Sequence, residues 1–363
     1  IKTAYEFLDN RFNLFIRLIG SSCFIIYQIG RIGVVLFLPS IALNLVTDMN
    51  IYLCISLMGG ISLIYTLIGG IEAVIWTDVV QVFVLMSGVT ISILIIILDM
   101  EEGFIGIVKT AQLDNKLKVF DLTLSLSEPT IWVMLLGGFF LNITTYGTDH
   151  TMVQRYLVTS SKEKAQNSVW IGALLTIPST LIFFFVGTAL YVFYKINPTV
   201  LHPDFITNDA IFPWYIVTQL PGGVSGLLIA AIFAAAMSSL SSSMNAGAAS
   251  FSIDIYDRFE FGKNKGDLRT ARWATFCIGA LGILFALFMA NYEIKSLWDV
   301  FNKILGLIFG SLGGVFLLGL LTKKANSNGV LIGILISFII QVLMSYYGAI
   351  HLLIYAASGV ISC

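Results

Sequence analysis

Along this chain, apolar runs of membrane-spanning length alternate with short polar breaks, and the runs set the architecture before any motif is considered. A span needs about 20 consecutive apolar residues. By that measure, spans are predicted at 12–46, 50–69, 72–98, 130–156, 165–194, 221–252, 270–291, 297–321 and 328–347. A tenth run begins near Ala349 and covers about 15 residues, short of that requirement. Ile1 to Arg11 reads as an amphipathic approach to the first span, with no initiating Met and no leader. The expected product is an all-α polytopic membrane protein with a single transmembrane domain over 1–363, looking cut at both ends. Between spans, Asp99 to Pro129 mixes charges with Phe104, Ile105, Ile107 and Val108, which predicts a short interfacial helix. His202 to Gly223, with Pro203, Pro213, Trp214 and Pro221, predicts an external hairpin or lid.

Composition agrees. With 57% hydrophobic and 11% charged residues and a mean hydropathy of +0.91, the chain is excluded from ordinary soluble globules. A net charge of −1 argues against a nucleic-acid partner. The cysteines (Cys23, Cys54, Cys277, Cys363) lie in apolar segments without metal or redox spacing and read as small core residues with no disulfide. No two histidines stand at helical ligand spacing, so a His-based metal site is not expected. There is no nucleophile paired with a base and no P-loop, which excludes an intramembrane enzyme and an ATP-driven pump.

Loop charges give an orientation. With the N-terminus cytoplasmic, the inner loops carry Lys2, Arg11, Arg155, Lys162, Lys164, Arg258, Lys263, Lys265, Arg269, Arg272, Lys323 and Lys324. The outer loops hold Lys109, Lys116, Lys118, Lys195, Lys295 and Lys303, so the positive-inside rule favours this direction.

Polar groups deep in a span are expensive and mark functional candidates. In AAAMSSLSSSMN, residues Ala235, Ser238, Ser239, Ser241 and Ser242 fall on one helical arc of about 160°. Two readings stand: tight helix packing through small residues, or neutral oxygen ligands for a small hard cation. Arg31, in YQIGRIGVV, offers a planar fork to a carboxylate, either on a ligand or on a partner helix. Asp78, in GGIEAVIWTDVVQ, is a lone carboxylate that must be protonated, face water or find a cation. Glu72 reads as interfacial. Asn142, Thr144, Thr145 and Tyr146 ahead of Gly147 suggest either a helix broken in mid-membrane, lining a cavity, or a hydrogen-bonding helix interface. Asp149 and His150 read as marking the polar half of such a break, and Asp299 with Lys303 as a structural i, i+4 ion pair.

GGIEAVIWTDVVQ followed well downstream by AAAMSSLSSSMNA resembles the two signatures of the sodium:solute symporter family, and YQIGRIG is most similar to its sialic acid branch. The resemblance covers essentially the whole chain. It implies the inverted-repeat fold first seen in the leucine transporter, with the first core helices absent from this stretch, and sodium-coupled symport of a small organic anion, sialic acid first. It further implies a common Na⁺ site at Ala235, Ser238 and Ser239, and a second at Asp78, Ser238, Ser241 and Ser242. Arg31 would pair with the cargo carboxylate, and Asn142 and Tyr146 would line its cavity. The implied setting is a bacterial inner membrane. Proline or a neutral sugar as cargo, a non-transporting channel or sensor, and an inactive fragment of the same fold are the alternatives.

Overall fold

The computed structural model describes every residue except 1, 69–70, 119, 158, 202–207, 260–267, 293, 295 and 349, and over 71–78 it describes the helix but not the side chains. The described residues form helices α1 (Glu6–Arg11), α2 (Leu14–Thr47), α3 (Ile51–Ile68), α4 (Ile71–Asp99), α5 (Gly103–Leu113), α6 (Ile131–Thr148) and α7 (His150–Leu157). They continue with α8 (Lys162–Ile196), α9 (Ile211–Thr218), α10 (Gly222–Ser250), α11 (Leu268–Met289), α12 (Leu297–Leu321), α13 (Ser327–Tyr347) and α14 (Leu353–Ser362). Among the described residues, 9 helices are long and apolar enough to cross a membrane, and they follow the predicted spans except that the one predicted over 130–156 ends at Thr148, where the chain breaks before α7.

Polar residues in the breaks before and between spans cap α2, α6, α8, α12 and α13. Asn13 accepts from the Ile16 amide at 3.0 Å to open α2, and Asn326 accepts from the Gly329 amide at 2.8 Å to open α13. Thr130 and Ser161 do the same for α6 and α8. Ser296 opens α12 by accepting from the Asp299 amide at 3.3 Å. Asp299 therefore belongs to the acidic first turn of α12, where it complements the helix dipole. Among the described ion pairs there is none from it to Lys303. Gly348, at φ 62°, ends α13 in the left-handed region that glycine enters without strain.

Helices α2 and α12 sit innermost. α2 packs against α10, α11 and α12, while α12 also meets α6 and α14. Close approach depends on small residues, as membrane helices require: a Cβ on Gly282 of α11 would collide with Ile32 of α2. Outward faces are apolar, as at Trp170, Leu174 and Phe184 of α8, and face lipid in a membrane. Cys277 is exposed on such a face rather than in the core, because α11 turns that side outward; Cys54 is buried, and all four cysteines are free.

The interfacial helix expected in 99–129 is α5. Its Ile107 and Ala111 are buried against a cluster built by α4, α8 and α9. Of the segment expected to form an external hairpin or lid, residues 202–207 lie outside the described residues; the rest holds α9, whose Tyr215 and Ile216 are buried in that same cluster. α9 and the start of α12 mark one end of the bundle; α1 and the end of α12 mark the other.

Candidate functional site

Arg31 lies midway along α2, on the stripe that also carries Arg17, Ser21, Phe24 and Gln28 at helical spacing. Its side chain is 20% exposed, and its Nη1 stands 3.9 Å from Asp149 Oδ2. It lines a cavity of about 650 Å³ bounded by α2, α4, α8, α9, α10 and α12. That volume falls in the range of small-molecule sites. Most of the wall is apolar, including Leu38, Leu85 and Phe301; Asn208 and Trp298 are exposed. Against that wall, one cation with a loosely held partner is a strong determinant for an anionic group.

The partner acid comes from a broken helix. α6 ends at Thr148, Asp149 is extended at φ −70° and ψ 113°, and α7 starts at His150. The break thus falls two residues beyond Gly147. Asp149 Oδ1 accepts from the Thr151 amide at 2.8 Å, so this side chain caps α7 while its other oxygen faces Arg31. Thr148 donates back to the Thr144 carbonyl at 2.7 Å, and its own carbonyl accepts from the Tyr5 hydroxyl at 3.2 Å. Asp149 is therefore not a bystander of the break. It is both its cap and the acid beside Arg31.

Asn142 and Tyr146 are placed differently. Both are exposed on α6, outside the residues lining the Arg31 cavity, and the Asn142 amide donates to the Gly138 carbonyl of its own helix at 2.7 Å. The structure does not bring them to Arg31.

The serine arc is divided by its surroundings. Ala235 and Ser239 line the Arg31 cavity. Ser238 and Ser242 are half-buried, and Ser241 is buried with its hydroxyl donating to the Ser238 carbonyl at 3.3 Å. A hydroxyl that gives its proton to the backbone keeps its lone pairs, so this bond leaves Ser241 able to face a cation. Asp78 and Glu72 lie among the side chains outside the described residues.

Sequence reasoning missed Asp209, Trp298 and Phe301 as cavity residues. Asp209 Oδ2 accepts from the Leu297 amide at 2.8 Å, tying the turn before α9 to the start of α12. Its only signal was an acid beside the lid prolines. Trp298 and Phe301 carried none, being aromatic residues at ordinary core spacing.

Comparison with known proteins places this architecture. The sodium:solute symporter family profile matches residues 2–337. The chain is 36% identical to the sodium/sialic acid symporter NanT of Aliivibrio fischeri over 93% of this chain and 67% of that protein. It is 36% identical to the sodium/sialic acid symporter SiaT of Proteus mirabilis over 96% of this chain and 71% of that one. It is 31% identical to the sodium-coupled monocarboxylate transporter 1 of Mus musculus over 94% of this chain and 56% of that protein. Among solved structures, the substrate-bound outward-open state of a Na⁺-coupled sialic acid symporter superposes with a TM-score of 0.88 at 33% identity, covering 99% of this chain and 75% of that one. The helical core accordingly has the leucine-transporter-like fold, and the chain belongs to the sodium:solute symporter family.

Proposed function

We propose that this chain carries out sodium-coupled symport of a small organic anion, sialic acid in the first instance, by alternating access. The observation that carries the reading is that Arg31, on α2, and Ala235 with Ser239, on α10, line one and the same cavity. An anion seated on the guanidinium and a cation seated on the serine turn would then be bound across a single space. Each stabilises the arrangement the other needs, and that reciprocity is the coupling.

In this reading the cargo carboxylate displaces Asp149 from Arg31. The Ala235 carbonyl and the Ser238 and Ser239 hydroxyls hold the first Na⁺. Asp78 with Ser238, Ser241 and Ser242 holds a second, which lets the acid stay charged within the membrane. The extended backbone at Asp149 lets α6 and α7 move as two rods about one joint, as discontinuous helices in transporters do. The basic loop residues near α1 support placing that end in the cytoplasm of a bacterial cell, so that the α9 end faces outward.

The test is uptake of labelled sialic acid into proteoliposomes holding the intact protein, with and without an inward Na⁺ gradient. Uptake should require Na⁺, fall to background in Arg31→Ala, and show weakened Na⁺ dependence in Asp78→Ala. Equal uptake with K⁺ in place of Na⁺ would instead favour a channel. Uptake of a short monocarboxylate but not sialic acid would keep the symport and change the cargo.

A further inference from the structure

From Arg31 toward the α1 end, α2 and α10 run antiparallel, and their contact is a seam of polar side chains in an otherwise apolar bundle. Asp254 is fully buried in a π-helical turn, Phe251–Tyr256, that prolongs α10. Its Oδ1 accepts from Arg17 Nε at 2.9 Å, Arg17 Nη2 at 2.7 Å and Thr3 Oγ1 at 2.6 Å. Its Oδ2 accepts from Ser250 Oγ at 3.0 Å. That bond uses the Ser250 proton, so Ser21, 2.9 Å away, donates to Ser250. Arg17 Nη1 reaches Asp9 at 3.1 Å, and Asp9 takes Arg258 Nη2 at 2.7 Å. Arg258, Asp9, Arg17 and Asp254 thus form a chain of alternating, mutually cancelling charges.

Two of the arms, Thr3 and Asp9, come from the segment before α2, and that segment grips two further elements. The Ala4 amide donates to His150 Nδ1 at 3.4 Å and Tyr5 donates to the Thr148 carbonyl, both at the α6–α7 break. Arg11 donates to the Gly319 carbonyl at 3.3 Å and the Thr322 carbonyl at 2.6 Å, at the end of α12.

Between this network and Arg31, the seam changes character. Gln28 donates to Thr151 at 2.9 Å, but its Oε1 is buried without a partner. Ser243 Oγ, one turn of α10 before the Gly247 that abuts Gln28, is buried and unpartnered as well. A buried oxygen that no protein group satisfies is one that a water can satisfy. The seam thus sets two buried oxygens without a protein partner next to one satisfied charge network. A π turn, which is prone to occur at functional sites, holds the acid on which that network turns.

We propose that residues 3–11 form a strap, locked by the Arg258–Asp9–Arg17–Asp254 chain, that closes the bundle opposite the Arg31 cavity, and that its release admits water along the α2–α10 seam to Gln28 and Ser243. The proposal deepens the transport reading and rests on it for its purpose, but not for its test.

In the intact protein, in proteoliposomes and on a cysteine-free background, Ser243→Cys is labelled with a charged, membrane-impermeant thiol reagent applied at the α1 face. Neutralising the lock with Asp254→Asn should raise the labelling rate about tenfold. Arg258→Gln, at the exposed end of the network, and Asp9→Asn, which leaves the Arg17–Asp254 pair in place, should raise it in the same direction and decide the matter where Asp254→Asn does not fold. Unchanged labelling in these two folded variants would overturn the strap, whether or not transport is seen. Faster labelling in a protein that moves no sialic acid would support the strap and count against the cargo reading alone.

Discussion

Arg31 and Asp149 face one another at 3.9 Å across the gap between α2 and the α6–α7 break. That separation is at the outer limit of an ion pair, so an arriving carboxylate need not break a tight bidentate contact to take the guanidinium. Asp149→Asn keeps an oxygen that can cap α7 and removes the competing charge. Binding of the anionic cargo, measured by calorimetric titration of the intact protein, should tighten by about 1 kcal/mol, roughly fivefold. Asp149→Ala also loses the cap, and should lower thermal stability by about 1 kcal/mol.

Replacing the guanidinium separates charge from geometry. Arg31→Lys retains a cation but not the planar fork, and should weaken cargo binding about tenfold. Arg31→Gln should abolish measurable binding of the anion. Both proteins should unfold close to the wild-type temperature, because the pair they break is loose. A large fall in stability with cargo affinity intact would assign Arg31 to structure.

Helix contacts through glycine give a prediction about stability alone. A methyl group at Gly282 would overlap Ile32, whereas one at Gly60 meets nothing within 4 Å. Gly282→Ala should destabilise by about 1–3 kcal/mol through overpacking. Gly60→Ala, inside α3 with free space around it, should be neutral to stabilising by about 1 kcal/mol at most. Thermal unfolding in detergent compares the two directly.

Outside the spans, Asp114 fastens α5 to α8 by accepting from the Lys195 ammonium and from the Tyr191 hydroxyl at 3.1 Å. The hydrogen bond from Lys195 holds its carboxyl below the usual carboxylate range. A depressed value means the tie is fully present above that range and is lost only as pH falls through the depressed value. Amide-exchange protection of Gly103–Leu113 should therefore be flat from neutral to mildly acidic pH. Asp114→Asn should lower it throughout that neutral to mildly acidic range without changing cargo binding.

Much of the scaffold was legible because lipid is a demanding solvent. Each span must be continuous and apolar, so run lengths alone located the nine spanning helices among the described residues, and the charged loop with its apolar residues announced α5. A break was one of two readings of the cluster Asn142–Gly147, the other being a helix interface, and it falls just beyond the cluster at Asp149. The role of Asp149 was not, because a lone acid does not say whether it caps, pairs or faces water. Asp254 escaped notice for a related reason. Its partners Thr3 and Arg17 lie more than two hundred positions away, and only the antiparallel contact of α2 with α10 brings them together. The serine arc could be placed on one side of a helix, yet periodicity could not say that Ala235 and Ser239 would share a cavity with Arg31.

The most direct test of that shared cavity is calorimetric titration of sialic acid into the intact protein at a series of Na⁺ concentrations, in wild type and in Ser239→Ala. Affinity for sialic acid should rise with Na⁺, and the Na⁺ concentration giving half the effect should increase about tenfold in the variant. An affinity for sialic acid that stays the same when all Na⁺ is replaced by K⁺ would contradict the account.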